Sequence, residues 1–294
     1  MNLKTDYAFK KIFGNKVLLI SFLNAIGTLP EIVEDIEYLP LEQLGYDKTI
    51  RRAVYDLYVK TTSNKRYIIE MQIAEQKYFA ERMILYASHA VTAEAMKGKM
   101  ITVNDKGETI ERNWDYDIAG VYMIAIVDFI MFPEDVAEKI MIEEIELMRR
   151  KANLPFSDKY KFTVIELPKF RKTLETLSTM KEKWLFVLRY LETFRSRPKE
   201  MNEDVFKELY NDARIKKLTN EEMEKYKQSV LEYGDYITFT DRAEEKGFEK
   251  GKKEGIEESL IKFAKNCYKH NMSLKEIARI LEISEEEVYN LLDN

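Results

Sequence analysis

Val54-Tyr55-Asp56-Leu57-Tyr58-Val59 and Ile68-Ile69-Glu70-Met71-Gln72-Ile73, joined through the turn-like Thr62-Ser63-Asn64-Lys65, read as the two strands of an antiparallel hairpin. Side chains at i and i+2 of a strand point to the same face. Glu70 and Gln72 therefore share one face, and Ile69, Met71 and Ile73 share the other. Pairing the hairpin brings Asp56 near Glu70. Glutamate is a poor strand former, yet here it interrupts the run Tyr67-Ile68-Ile69. Two carboxylates and one amide on an apolar scaffold point to a divalent-metal site.

Working outward, residues 75–97 return to helical spacing, with Phe79, Met83, Tyr86 and Ala90 in one stripe. Arg82 and Tyr86 lie one turn apart and share a face. Upstream, residues 3–27 read as a helix capped by Thr5 or Asp6, with Phe9, Ile12, Phe13, Leu19, Phe22, Leu23 and Ile26 at helical positions. Gly14-Asn15 is a point at which it can break in two. Residues 28–45, with Pro30 and Pro40, form a connection, and strands are expected over 46–60 and 66–74. Downstream, Asn104-Asp105-Lys106-Gly107 marks a turn inside a short hairpin. Ala119 to Phe129 is nearly all apolar, as in a strand buried on both faces. Lys161 to Leu167 reads as a strand that stops at Pro168. From about 134 onward helices are expected to dominate; Trp184, Leu185, Val187, Leu188 and Leu191 belong to one that ends before Pro198.

The stretch 242–294 differs in character. Gly247, Gly251 and Gly255 recur every four residues on a charged helix. They read either as a weakly helical, flexible linker, since each glycine costs about 1 kcal/mol in a helix, or as a face for close helix contact. Two capping boxes follow, Ser273-x-x-Glu276 and Ser284-x-x-Glu287, each opening a short helix. The pair resembles a helix-turn-helix, but its second helix carries Glu285, Glu286, Glu287 and Asp293. A helix that reads DNA presents positive or neutral groups, so this one suits packing or self-association. The expected organisation is a core over 1–170, a helical extension over 171–241 and the glycine-spaced helix with its terminal pair over 242–294.

Composition sets the outer limits. The 294 residues are 45% hydrophobic and 34% charged, with a net charge of −5. No apolar run reaches the ~18 residues of a membrane span, and the first residues carry no signal-peptide pattern. Cys267 is the only cysteine and His89 and His270 are the only histidines, so no internal disulfide or multi-histidine zinc site is possible. Cys267 reads as a buried helix cysteine, and a reducing, cytoplasmic setting is expected. An acidic chain that meets nucleic acid must do so through a local basic surface.

Three explanations compete for Asp56, Glu70 and Gln72. A solvent-facing strand face needs no function. A glycosidase pair needs one acid of raised pKa and an aromatic sugar platform, and no spacing marks these. In metal-assisted phosphodiester hydrolysis, carboxylates hold Mg²⁺ while Arg82 grips a phosphate oxygen. The following helix with Arg82 and Tyr86 favours this third reading.

At these residues the chain resembles the PD-(D/E)XK phosphodiesterases, and more specifically the bacterial PD-(D/E)XK nuclease family transposases, or recombination-promoting nucleases. The resemblance rests on Asp6-Tyr7-Ala8-Phe9-Lys10-Lys11-Ile12-Phe13-Gly14, Asp56, Ile69-Glu70-Met71-Gln72, Phe79 with Arg82 and Tyr86, Glu166-Leu167-Pro168-Lys169-Phe170, and the glycine-spaced tail. It implies an α/β fold with an αβββαβ core and a mixed sheet. It implies a Mg²⁺-dependent (or Mn²⁺-dependent) DNA endonuclease linked to recombination or mobile elements. Asp56 and Glu70 then correspond to the metal-binding acids, and Gln72 to the lysine position, where glutamine supplies no charge. Asp6 corresponds to a further acid on the opening helix; as plain chemistry, Asp6 and Lys10 also make a surface i,i+4 pair. Arg82 and Tyr86 face the substrate. Asp128 reads as a strand terminator. The alternative is a weak or inactive DNA-binding or regulatory protein that keeps the fold. Self-association through the C-terminal helices is expected.

Overall fold

The computed structural model describes residues 1–43, 53–95, 99–103, 108–113, 116–133 and 140–293. The expected strand residues 46–52 and the turn Asn104–Gly107 lie outside these.

Six strands make one mixed sheet: β1 (Ile36–Tyr38), β2 (Leu57–Thr61), β3 (Arg66–Gln72), β4 (Val121–Val127), β5 (Ile142–Glu146) and β6 (Tyr160–Glu166), in the order β1-β2-β3-β4-β6-β5. β1, β2 and β3 form an antiparallel meander. Helix α3 (Phe79–Ala95) then carries the chain across to β4, parallel to β3. With α1 (Asp6–Phe13) and α2 (Lys16–Ile26) ahead of the meander, this is the expected αβββαβ order. β6 extends the sheet parallel to β4, and β5 closes the edge antiparallel to β6.

Apolar patterning explains the layers. All seven residues of β4 are buried, because helices cover both faces of the central strand. On one face Tyr58, Ile68, Met123 and Val164 pack against Phe79, Met83, Ala87 and Ala90 of α3. On the other, Leu57, Val59, Tyr67, Ile69, Ile124 and Ile165 meet Phe9, Phe13 and Phe22 of the first two helices. Trp184 of α4 (Met180–Tyr190) lies at the centre of that second layer, fully buried, with its Nε1–H donated to Ser21 Oγ at 3.1 Å. Truncating such a side chain costs about 3–5 kcal/mol.

The opening helix does break at Gly14-Asn15. The Gly14 N–H reaches back to Lys10 O at 2.8 Å, and a Cβ there would sit 2.7 Å from that oxygen. Asn15 then caps α2 by accepting the Val17 N–H. Thr5 occupies the cap position of α1, but its hydroxyl turns to Asn2 O instead.

Two expectations need correction. The upstream strand is not continuous through Asp56: Ala53–Val54 pairs with Glu42–Gln43, and β2 begins only at Leu57. The region after 140 is strand-rich, and helices dominate only from Met180. Ile142-Glu143-Glu144-Ile145-Glu146 reads as a helix former, but as an edge strand it sets Glu144 and Glu146 beside Lys161 of β6. Cross-strand pairing outweighs intrinsic propensity there.

The chain divides into two compact units, Met1–Tyr233 and Gly234–Asn294, with the boundary inside α6 (Asn220–Lys269). The first unit includes α5 (Asp204–Asp212) and the start of α6, which is fastened to the N-terminus: Asn2 N–H donates to Tyr226 OH, Tyr7 N–H to Ser229 Oγ, and Lys11 pairs with Glu222. In the second unit α7 (Leu274–Leu281) and α8 (Glu285–Asp293) pack with α6 around Ala264, Ile277, Ala278 and Val288. Both capping boxes form. Gly247, Gly251 and Gly255 lie within α6, and a Cβ on any of them meets nothing within 4 Å. Cys267 is partly rather than fully buried. No helix among the described residues is long and apolar enough to cross a membrane.

Candidate functional site

The hairpin register sets the site. Leu57 pairs with Ile69, so the next step outward places Asp56 opposite Glu70. Backbone rungs are replaced there by side chains. The Asp56 N–H donates to Glu70 Oε1 at 3.1 Å, and the Met71 N–H donates to Asp56 Oδ2 at 2.8 Å. The strand begins at Leu57, and at Asp56 side-chain oxygens accept the N–H groups in place of backbone carbonyls. Ile68 and Tyr58 lie under α3, so by strand parity Glu70 and Gln72 lie on that same face.

Glu70 is 5% exposed and the Asp56 side chain 22%. Burial, and then the Asp56 charge, push the Glu70 carboxyl up to about 8. Burial also raises Asp56, with the Met71 N–H and Lys10 pulling the other way. Burial disfavours the charge on both carboxyls, so a cation placed beside them would offset that cost.

Arg82 comes to the same place from α3. Its Nη2–H donates to Gln72 Oε1 at 2.5 Å and its Nη1–H to Gln76 at 2.7 Å. The guanidinium lies 5.0 Å from the Phe79 ring centroid and 5.6 Å from that of Tyr86. Its Nε is buried and lacks a hydrogen-bond partner. Gln72 donates its amide N–H to Ala74 O at 3.0 Å. Tyr86 packs edge-on against Tyr55, and burial raises its phenol above the usual range.

Asp6 stands on α1, 58% exposed, and binds Lys10 at 2.5 Å. The surface pair foreseen from the i,i+4 spacing is therefore formed. Lys10 Nζ also lies 4.0 Å from Asp56 Oδ1. Spacing alone marks Lys10 as a partner of Asp6; its approach to Asp56 comes from how α1 sits against the hairpin, and sequence reasoning missed it. Among the described residues no group of three or more His, Cys, Asp or Glu side chains gathers closely enough to hold a metal. The carboxylates that meet are the pair Asp56 and Glu70, with Lys10 between Asp6 and that pair. Asp128 continues the strand by one bond, its N–H to Gln72 O at 2.9 Å, and its carboxylate binds Lys4 at 2.8 Å.

An αβββαβ core with a carboxylate pair at the end of its hairpin defines a PD-(D/E)XK nuclease fold. The family model for PD-(D/E)XK nuclease family transposases matches residues 3–243, and this chain belongs to that family. No curated protein and no solved structure matches it.

Proposed function

We propose that this protein is a metal-dependent DNA endonuclease that hydrolyses phosphodiester bonds at Asp56, Glu70 and Gln72, in the service of recombination or mobile elements. The reciprocal bonding of Asp56 and Glu70 carries this reading, because it sets a buried and a half-buried carboxyl side by side at the end of the hairpin. The donor set, all hard oxygen, fits Mg²⁺ or Mn²⁺, and such ions keep waters in their shell when only two carboxylates bind them. Asp56 and Glu70 would hold the ion, with Asp6 within the same neighbourhood; bound there, it would lower the pKa of a water and offset phosphate charge.

The chain's own residues do the positioning. Arg82, its Nη groups held by Gln76 and Gln72, presents a fixed positive charge to a non-bridging phosphate oxygen. Stacking over Phe79 and Tyr86 holds its plane, so little freedom is lost on binding. Gln72 has an amide N–H to spare for the attacking water, and Arg82 orients that amide. Tyr86 borders the substrate side of the guanidinium. Self-association through residues 242–294 would bring two such sites to the two strands of a duplex.

Plasmid cleavage with Mg²⁺ or Mn²⁺, comparing wild type with Asp56→Ala, tests the reading. Nicking or linearisation by wild type alone is expected. DNA retention in gel shifts with no cleavage under either metal would leave a DNA-binding protein in the nuclease fold.

A further inference from the structure

Among the described residues, the carboxylate pair has two cations as neighbours, Arg82 and Lys10. Arg82 is committed. Its two Nη groups bind Gln72 and Gln76, and two aromatic rings flank its plane. It can hold an oxygen at a fixed place but has no reach. Lys10 is built differently. Its ammonium sits on a flexible stem 35% exposed to solvent, and its ion pairs among the described residues are with Asp6 at 2.5 Å and Asp56 at 4.0 Å. A lysine ammonium has three donors, and only one is close-bonded here. An attacking water beside Asp56 would lie within a short stem movement of Nζ.

The chemistry needs such a group. When water attacks a phosphodiester, its oxygen bonds to phosphorus while the bond from phosphorus to the leaving sugar oxygen breaks and takes the electron pair. One water proton passes to solvent, and the leaving oxygen takes one from solvent. Negative charge builds on the phosphoryl oxygens beside two carboxylates, so a cation aimed at that charge contributes strongly. Gln72, on the same strand face as Glu70, is neutral.

Resting on the nuclease reading above, we propose that Lys10 is a catalytic residue. Released from Asp6 when DNA occupies the site, it donates to the attacking water and the scissile phosphate and supplies from the first helix the charge that Gln72 lacks. Asp6 acts as its positioning partner.

The test relocates the charge. Lys10→Met should slow plasmid cleavage by about 10²-fold or more with an unchanged melting temperature. A lysine at position 72 would start from the same face as Glu70, so Lys10→Met combined with Gln72→Lys should recover cleavage to within about tenfold of wild type. A second readout needs no cleavage: binding of a duplex oligonucleotide in chelator across a salt series. Loss of one phosphate contact should make the slope of log K against log salt shallower by about 0.9 in Lys10→Met. Cleavage by Lys10→Met at the wild-type rate overturns the proposal. So does an unchanged salt slope, which decides the matter should Gln72→Lys itself prove slow. If wild type cleaves nothing with either metal, the nuclease reading fails and this assignment falls with it.

Discussion

Asp56 and Glu70 each accept a backbone N–H from the other's strand: the Asp56 N–H goes to Glu70 Oε1, and the Met71 N–H goes to Asp56 Oδ2. The two carboxylates thus complete the β2–β3 ladder one step beyond its last paired residues, Leu57 and Ile69. The site and the end of the sheet are the same structure, so changes to one should register in the other.

The first consequence concerns pH. The Glu70 carboxyl is raised to about 8, first by burial and then by Asp56. A raised carboxyl means that the folded chain holds the proton more tightly than the unfolded chain. The stability it contributes is complete below the unfolded value near 4.3 and is lost as pH climbs to about 8. Glu70→Gln keeps an oxygen for the Asp56 N–H and cannot ionise. In chelator, its melting temperature minus that of wild type should grow from near zero at pH 4 to several degrees at pH 8.5, at roughly 2–4 °C per kcal/mol. A difference that does not change with pH would refute the assignment. The same variant should not cleave DNA.

Arg82→Ala should lower DNA cleavage by about 10²-fold, since it removes the guanidinium and frees the Gln72 amide to turn. Lys207→Ala, which changes an exposed lysine on α5 bound to Asp204, serves as the control. Arg82→Lys should recover little, because an ammonium cannot reproduce the planar fork that bonds Gln72 and Gln76 or its contacts with the Phe79 and Tyr86 rings. Equal rates for the Arg82 and Lys207 variants would reduce Arg82 to a surface charge.

Gln72→Ala should slow cleavage, whereas Gln72→Lys should retain or raise it, because position 72 faces the same side as Glu70. Single-turnover rates at saturating metal separate this effect from binding. If the alanine variant cleaves at the wild-type rate, Gln72 has no part in the chemistry.

Glu166 and Lys169 form an ion pair with almost no exposure, and every polar atom of the cluster is engaged. Glu166 Oε1 accepts the N–H groups of Met131 and Phe132, and Lys169 also donates to Phe132 O. Lys169→Met leaves a buried carboxylate without its cation, which costs about 3–5 kcal/mol. Urea unfolding should show that loss, and Glu166→Gln in the same chain should restore part of it. A Lys169→Met protein as stable as wild type would show that the carboxylate escapes to solvent.

Removing residues 242–294 should leave a folded core whose melting transition and divalent-cation response match those of the full chain. The contacts of Tyr226, Ser229 and Glu222 with the N-terminal residues all precede the cut. Sedimentation should show loss of self-association. Gly251→Ala sharpens the test, since the added methyl meets nothing within the chain. It should stabilise the helix by up to about 1 kcal/mol while weakening association if a second helix packs on that face. A full-length chain already monomeric at micromolar concentration would reject self-association.

Local pattern determined much of this protein. The strand parity of Glu70 and Gln72, the uninterrupted apolar run of β4, the break at Gly14-Asn15 and the two terminal capping boxes were all legible, because each depends on neighbours within a few residues. What the tertiary structure decided depends on distant residues. Asp56 lies in a break rather than inside a strand, and there its carboxylate accepts an N–H from the partner strand. Ile142–Glu146 is a strand, despite its glutamates, because Lys161 stands beside it. Lys10 joins the site only because α1 lies against the end of the hairpin, forty-six positions away in the chain. Propensity and periodicity report what a segment prefers alone; ion pairs and exchanged hydrogen bonds are settled only when the sheet and helices are assembled.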